Sequence, residues 1–256
     1  MPNYIEEINK KYQLPAGIDK MTKEKVYDPI TQHIKSWAYR NDYSLADIKL
    51  SGSRVKGTAV SLAPDIDIFI CLASSNTETI RNIYNSLYSY FATRSSSYRK
   101  KNISIGLTFS GINVDLIPGQ KRGQSEGDHS LYKSKQDAWT QTNIDKHIRL
   151  VKTSNRIPEI VAAKIWRYCN RLSFPSILLE LVIIEALKNK GTTDRDKNFM
   201  SLLGYLKDNI QMARIIDPAN PNNVISEDII TSAQKRKIAE AARESLNKKY
   251  WKEILW

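Results

Sequence analysis

Apolar residues recur with a helical period through the first forty positions of the chain. Ile5 and Ile8 are three residues apart, and Val26, Ile30 and Ile34 are four residues apart in turn. Residues at these spacings share one face of an α-helix, so each set predicts an amphipathic helix. The Leu-Pro-Ala-Gly sequence at 14–17 separates the two sets and predicts a turn between two helices.

Strand-like segments dominate the next part of the chain. They either alternate apolar with polar positions or are rich in β-branched and aromatic residues, and they cover 48–50, 66–70, 103–110 and 111–117. The last two predict a hairpin. Residues 77–94 have helical spacing instead, so this part of the chain predicts a sheet with accompanying helices.

Helical patterns take over after residue 139. Five segments have this spacing: 143–152, 158–171, 175–190, 197–209 and 227–256. Two prolines predict a rigid turn at 215–221, and the glycine-rich polar composition of 119–128 predicts a boundary after Pro118. We therefore predict an α/β (α+β) bilobal fold, with an N-terminal mixed-sheet lobe that includes the first helices at 1–118, a connecting loop at 119–138 and a C-terminal helical lobe at 139–256.

The charge balance narrows the choice of partner. Lysine and arginine outnumber the acidic residues 39 to 27, a formal net charge of +12, with short basic clusters at 99–101, 121–122 and 235–237. This excess favours an anionic partner, namely nucleoside triphosphates, a nucleic acid or both. No apolar run of membrane-spanning length and no N-terminal signal is visible, and the two cysteines are typical of a reducing compartment, so we expect a cytoplasmic protein with no membrane partner.

Three aspartates carry the clearest chemical pattern. Asp65 and Asp67 are two residues apart at a predicted strand, so both point to the face opposite Ile66. Asp115 has the same alternation on a later strand. Carboxylates held together repel one another unless a divalent cation lies between them, and oxygen ligands favour Mg²⁺ or Mn²⁺.

A glycine and a serine precede the first aspartate by a short interval. Gly52 and Ser53 follow the strand at 48–50 and open a polar stretch that predicts a short helix. Glycine lets the backbone approach a phosphate closely, and a helix N-terminus favours anions, so the pair predicts a triphosphate-binding junction. Two cations held by the carboxylates would lower the pKa of an attacking hydroxyl and neutralise leaving pyrophosphate, the chemistry of nucleotidyl transfer.

These motifs together resemble a known superfamily, the DNA polymerase β-like nucleotidyltransferases. The match consists of Gly52-Ser53, a short helix, the acidic-apolar-acidic strand at 65–67 and the later Asp115. Within it the chain resembles the bacterial CD-NTases, cyclic GMP-AMP synthase and oligoadenylate synthetase. Segments 139–147, 164–180 and 217–224 carry this narrower resemblance, and relatives often have glutamine where Ser51 stands.

The resemblance implies roles for named residues. Asp65, Asp67 and Asp115 would be the catalytic residues and the ligands of two Mg²⁺ ions, with Mn²⁺ as an alternative, and Gly52 and Ser53 would bind nucleotide. In the helical lobe, nucleotide-binding roles fall on Lys164, Ser176 and Asp217.

The leading functional hypothesis is an ATP-binding, metal-dependent enzyme that joins nucleoside triphosphates, releases pyrophosphate and makes a cyclic or short linear oligonucleotide signal in bacterial antiviral defence. One alternative is template-independent addition to an RNA or DNA 3′ end, or to a protein hydroxyl as primer. Another is a non-catalytic nucleic-acid-binding module. The first hypothesis implies nucleoside triphosphates as substrates, with a nucleic acid as substrate or activator and a downstream effector protein as further partners.

Overall fold

A computed structural model describes residues 3–95, 97–123 and 127–256, and divides the chain into two compact units. The sheet unit consists of residues 15–57 and 64–148. The helical unit consists of residues 1–14, 58–63 and 149–256. The mixed α/β fold that we predicted is confirmed, although the units differ in their limits from the predicted lobes.

The helices are numbered in chain order. They are α1 (Tyr4–Tyr12), α2 (Lys20–Thr22), α3 (Asp28–Arg40), α4 (Gly52–Lys56), α5 (Ile80–Ala92), α6 (Ile144–Thr153), α7 (Ile157–Cys169), α8 (Ser176–Ala186), α9 (Arg195–Asn209), α10 (Ile225–Asp228) and α11 (Ser232–Leu246). A π-helical segment, Lys23–Tyr27, joins α2 to α3, and a 3₁₀ turn, Trp251–Glu253, lies near the C-terminus. The two helices predicted before residue 41 are present on either side of the predicted turn.

The described part of the sheet unit contains a seven-stranded mixed sheet. Its strands are β1 (Leu45–Ser51), β2 (Ile66–Leu72), β3 (Ser97–Lys100), β4 (Ile105–Phe109), β5 (Ile112–Lys121), β6 (His129–Lys133) and β7 (Ala138–Thr142). The order is β1-β2-β5-β4-β3, with β6 paired to β5 and to β7. Among the strands that the structure describes in this sheet, β2 and β5 are the one parallel pair, and the other pairs are antiparallel.

Burial explains why β2 lies near the centre of this sheet. Ile66, Ile68 and Ile70 are fully buried among residues of α3 and α5, and Phe69 is fully buried on the opposite face. A strand that is apolar on both faces is most stable where both faces are covered by other parts of the protein. The interruption of this pattern at Asp67 therefore marks a polar position inside an otherwise apolar strand.

The segment predicted as a connecting loop, 119–138, differs in the structure. β5 continues to Lys121, and β6 with the start of β7 extends the same sheet. Pro118 does not end β5 because it lies after the last β4 pair, at Leu116, and before the first β6 pair, at Gln120. Of the glycine-rich stretch, residues 124–126 lie outside the described residues.

The helical unit includes the N-terminal helix, which we predicted with the sheet lobe. The backbone amides of Tyr4 and Ile5 donate to the Asp196 carboxylate on α9 at 3.1 and 3.0 Å, and the Tyr4 hydroxyl donates to the Leu255 carbonyl. An aspartate at a helix N-terminus satisfies amides that have no partner within the helix. This contact joins segments far apart in sequence, which the local pattern does not reveal.

The predicted helix 227–256 is three shorter pieces. Its longest part, α11, begins after Thr231, whose side chain accepts from the Gln234 amide while the Gln234 side chain accepts from the Thr231 amide. This capping box favours a helix start at that point. The predicted turn at 215–221 contains β8 (Ile216–Asp217) and the start of β9 (Asn220–Val224), which pair as a small hairpin. None of the described helices is both long and apolar enough to cross a membrane.

Candidate active site

Strand pairing in the sheet unit brings Asp67 and Asp115 side by side. In the parallel pair β2–β5 these two residues occupy the same register position. Ser51 of β1 pairs with Asp67 on one side, and Gly106 of β4 pairs with Asp115 on the other. Since side chains at one register position point to the same face of a sheet, the two carboxylates share a face, as we predicted from the alternation of each strand.

Asp65 lies just before β2 and is half-buried. Its charge acts on both other aspartates: it contributes to raising the pKa of Asp67 and the pKa of Asp115. The three predicted carboxylates are therefore close enough to interact electrostatically.

The buried carboxylates have perturbed acidities. Burial is the largest cause that raises the pKa of Asp67 to about 6, and repulsion from Asp115 and then Asp65 adds to it. Burial also raises the pKa of Asp115, although the hydrogen bond and the charge of Lys101 act in the opposite direction. A carboxylate that is hard to ionise without a cation is a typical metal ligand or catalytic group.

Gly52 makes room for the Asp67 carboxylate. It begins α4 directly after β1 and has a φ of +62°. A Cβ atom built on Gly52 would lie 1.8 Å from Asp67 Oδ2, far inside van der Waals contact. Both the backbone conformation and the close approach therefore require glycine. Ser53 occupies the next position of α4, so the predicted pair lies at a strand-to-helix junction beside Asp67.

Lys101 was not among the predicted site residues, and it contacts Asp115 directly. Its Nζ lies 2.7 Å from Asp115 Oδ1 and donates to Oδ2 at 2.8 Å. Lys101 immediately follows β3, in the basic cluster 99–101 that the charge pattern had shown. The sequence carried this signal, but only the β3–β4–β5 pairing directs it to Asp115.

These residues fit a divalent cation in donor chemistry. Asp65, Asp67 and Asp115 offer hard oxygen ligands, and their mutual repulsion is the feature that a cation would relieve. The buried Ser51 hydroxyl, beside Asp67 in register, has no hydrogen-bond partner and adds an oxygen. Within the described ranges no three acidic, histidine or cysteine side chains are already arranged as a metal-binding cluster, and Asp115 is turned to Lys101 instead.

Lys164 is buried inside the helical unit, 3% exposed. Its Nζ lies 3.1 Å from Glu180 Oε1 and donates to the Thr58 hydroxyl at 2.8 Å and the Thr58 carbonyl at 3.2 Å. The ion pair thus links α7 to α8, and the hydrogen bonds to Thr58 link Lys164 to segment 58–63. The predicted contact of Lys164 with a triphosphate stays a prediction, and it requires the ammonium to leave some of these partners.

The other two residues predicted in the helical unit lie at element ends. Ser176 is the first residue of α8, and its hydroxyl accepts a hydrogen bond from Arg167 Nη2 at 3.2 Å. Asp217 ends β8, is 6% exposed and accepts from the Ala219 amide at 2.8 Å, which closes the turn to β9. Their predicted nucleotide contacts also stay predictions.

Comparisons with known proteins agree with this architecture. No protein-family model matches the sequence. A cyclic AMP-AMP-AMP synthase of Escherichia coli (strain MS 115-1) is 23% identical in an alignment 247 positions long, and the aligned region covers 80% of this chain and 76% of the synthase. The solved structure of E. coli MS115-1 CdnC with ATP matches at a TM-score of 0.72 and 21% identity, over 95% of this chain and 89% of that one.

A second solved structure extends the match. The Bradyrhizobium diazoefficiens CD-NTase CdnG, in complex with GTP, has a TM-score of 0.74 at 13% identity, over 95% of this chain and 89% of CdnG. The chain therefore has the CD-NTase fold, and the predicted resemblance is confirmed. At these identities the structural match establishes the fold, and the chemistry must be argued from the residues of the site.

Gly52→Ala tests the close approach at the junction. We expect at least about a tenfold loss of nucleotide incorporation, because the methyl group displaces the Asp67 carboxylate and the left-handed backbone adds about 1–2 kcal/mol of strain. Gly111→Ala is the matched control, since Gly111 has a φ of +76° but open space around it. Equal activity losses in the two variants at equal stability would contradict the collision.

Asp67→Asn tests the cost of ionising the Asp67 carboxylate, which comes from burial first and from repulsion by Asp115 and Asp65 second, in protein kept metal-free with EDTA. The folded-state pKa of about 6 lies above the value of about 3.9 in an unfolded chain. The contribution of Asp67 to the free energy of unfolding is therefore fully present below about pH 4, where the group is protonated, and is lost as pH rises through 6. We expect the variant to be about 1–3 kcal/mol more stable than wild type at pH 7.5, with no gain at pH 4. Thermal melts at both pH values measure this, with exposed Asp208→Asn as control; a destabilised Asp67→Asn at pH 7.5 would refute it.

The buried pair of the helical unit makes a third prediction. Glu180→Leu should destabilise the protein by about 3–5 kcal/mol, because Lys164 is left charged and buried, and Lys164→Met/Glu180→Leu should recover most of the loss. Urea denaturation of the single and double variants measures both effects. A double variant no more stable than Glu180→Leu would show that the pair is not the source of the loss. If the double variant folds and keeps wild-type nucleotide affinity, the predicted phosphate contact of Lys164 is wrong.

Proposed function

We propose that this protein is a metal-dependent nucleotidyltransferase that joins nucleoside triphosphates into a cyclic or short linear oligonucleotide signal. The observation that carries the proposal is the pairing of Asp67 with Asp115 next to Gly52, in a sheet unit whose fold matches CD-NTases. The named relative, a cyclic AMP-AMP-AMP synthase, supports a cyclic product.

The residues of the sheet unit divide the work of this reaction. Gly52 and Ser53 present the start of α4 to the triphosphate, and Asp67 faces the same junction. Asp65, Asp67 and Asp115 would hold two Mg²⁺ ions, or Mn²⁺. When bound, these ions lower the pKa of the attacking hydroxyl and neutralise charge on pyrophosphate.

The bond changes follow from the substrate. The oxygen of an acceptor ribose hydroxyl forms a bond to the α-phosphorus, and the bond from that phosphorus to the bridging oxygen of the β-phosphate breaks. Pyrophosphate leaves with the bond electrons, and the hydroxyl proton passes to solvent. Little covalent work falls to the protein, so position and charge account for most of the catalysis.

Residues of the helical unit complete the proposal. Lys164 and Ser176 would contact the triphosphate, and Asp217 would contribute to a base pocket. A role in bacterial antiviral defence, an activating nucleic acid and an effector protein that responds to the product belong to the same proposal. The CD-NTase likeness supports them as a group.

Incubation with all labelled ribo- and deoxynucleoside triphosphates and Mg²⁺ or Mn²⁺, followed by mass spectrometry, tests the function. We expect a phosphatase-resistant product from nucleotides alone, and a loss of more than about 100-fold in Asp67→Asn, because one of the carboxylates that would hold the cations is removed. The variant must remain folded, which the melts described above establish.

Other outcomes select the alternatives. Extension of an added RNA or DNA strand without a free product identifies a template-independent transferase, and label on the protein itself identifies protein-primed synthesis. No pyrophosphate under any condition, together with nucleic-acid binding that weakens steeply with salt, identifies a binding module and rejects the enzyme.

A further inference from the structure

The contact between Lys101 and Asp115 uses both oxygens of the carboxylate. The ammonium lies 2.7 Å from Oδ1 and 2.8 Å from Oδ2, in a partly enclosed setting where Lys101 is 31% and Asp115 18% exposed. Interactions between charged groups at such distances and partial burial are stronger than surface ion pairs. The ammonium thus stands where a cation bound by this carboxylate would have to approach.

The backbone of Lys101 is held in place by a buried support. The fully buried Tyr84 hydroxyl donates to the Lys101 carbonyl at 2.7 Å and to the Ser104 carbonyl at 2.9 Å, and the Ser134 hydroxyl donates to Lys101 at 2.8 Å. The Lys101 amide closes the turn by donating to Ser104. A fixed backbone leaves only the flexible side chain to move.

A glycine in β4 leaves space between the Lys101 side chain and the Asp115 carboxylate. Gly106 pairs with Asp115 on one side and with Arg99 on the other. A Cβ atom on Gly106 would lie 3.0 Å from Lys101 Cε and 3.3 Å from Asp115 Oδ1. A side chain at 106 would crowd the ion pair, whereas glycine leaves it room.

We propose that Lys101 is a built-in counterion that competes with a divalent cation for Asp115 and must release the carboxylate when the metal binds. This rests on the proposed function, because it assigns Asp115 to a metal. In the metal-free protein the ammonium offsets one of three clustered negative charges. Metal binding then exchanges a monovalent, mobile partner for a divalent one, so Lys101 sets the metal concentration at which the site fills.

Lys101→Met tests the competition without relying on catalysis. Metal-free protein is titrated with Mn²⁺, and free Mn²⁺ is followed by electron paramagnetic resonance. We expect the variant to bind Mn²⁺ about tenfold more tightly than wild type, the factor that corresponds to about 1.4 kcal/mol. A variant that is merely damaged would bind Mn²⁺ more weakly.

Two control variants distinguish competition for Asp115 from a general effect of positive charge on metal binding. Arg99→Met removes the same charge from the same face of the sheet. Arg99 acts on Asp115 through its charge, whereas Lys101 also donates a hydrogen bond to it, so the gain in Mn²⁺ affinity of Arg99→Met should be well below that of Lys101→Met, about twofold or less. In protein that already carries Asp115→Asn, Lys101→Met should leave the Mn²⁺ affinity unchanged, because the competition acts through that carboxylate. Equal gains in Arg99→Met and Lys101→Met would replace competition by general electrostatics and overturn the proposal.

Thermal stability supplies a second readout. In EDTA, Lys101→Met should melt below wild type, because Asp115 loses its counterion among like charges, and saturating Mn²⁺ should raise its melting temperature more than that of wild type. An unchanged Mn²⁺ affinity, or no Mn²⁺ binding by either protein, overturns the inference.

Nucleotide synthesis separates this inference from the proposed function. If wild type makes product while Lys101→Met binds Mn²⁺ no more tightly, only the counterion role fails. If wild type makes no product under any condition but Lys101→Met gains Mn²⁺ affinity, the counterion role stands and the enzymatic function fails.

Discussion

Repulsion between Asp67 and Asp115 is the constraint around which the sheet unit is arranged. Parallel pairing of β2 with β5 sets the two carboxylates at one register position, and burial makes their ionisation still more costly. The surroundings of each differ: Gly52 gives Asp67 space, and Lys101 gives Asp115 a counter-charge. The free energy stored in this arrangement is available to any cation that binds there.

In the helical unit, by contrast, buried charges such as those of Glu159 and Lys164 have partners of opposite charge. Glu159 receives hydrogen bonds from Arg195 and Asn198, and Lys164 is paired with Glu180. These groups are satisfied where they lie, so their pairing holds helices together. Local arrangements that raise the free energy of the folded protein are expected mainly at functional sites, and the clustered aspartates of the sheet unit are such an arrangement.

Much of the fold and of the acidic centre was predictable because the signals are local. Alternation along a strand determines which residues share a face, so the orientations of Asp67 and Asp115 could be derived from each strand separately, whereas Asp65 lies just before β2. Helical spacing likewise predicted α3 and α5. The errors came where long-range contacts decide. Within 119–138 the end of β5 and all of β6 are strand because these two segments pair, and α1 joined the helical unit through Asp196.

By itself the sequence determined the types of chemistry present: three carboxylates in or next to strands, a glycine-serine junction and an excess of positive charge. Tertiary structure decided which groups meet. Lys101 is fourteen residues from Asp115, and its sequence cluster gave no reason to choose that partner until β3, β4 and β5 had aligned. Lys164 shows the same dependence, because only the packing of α7 against α8 pairs this buried ammonium with Glu180. Its predicted phosphate contact stays a prediction. Periodicity describes one element at a time, whereas a pairing depends on two elements and the free energy of burying what lies between them.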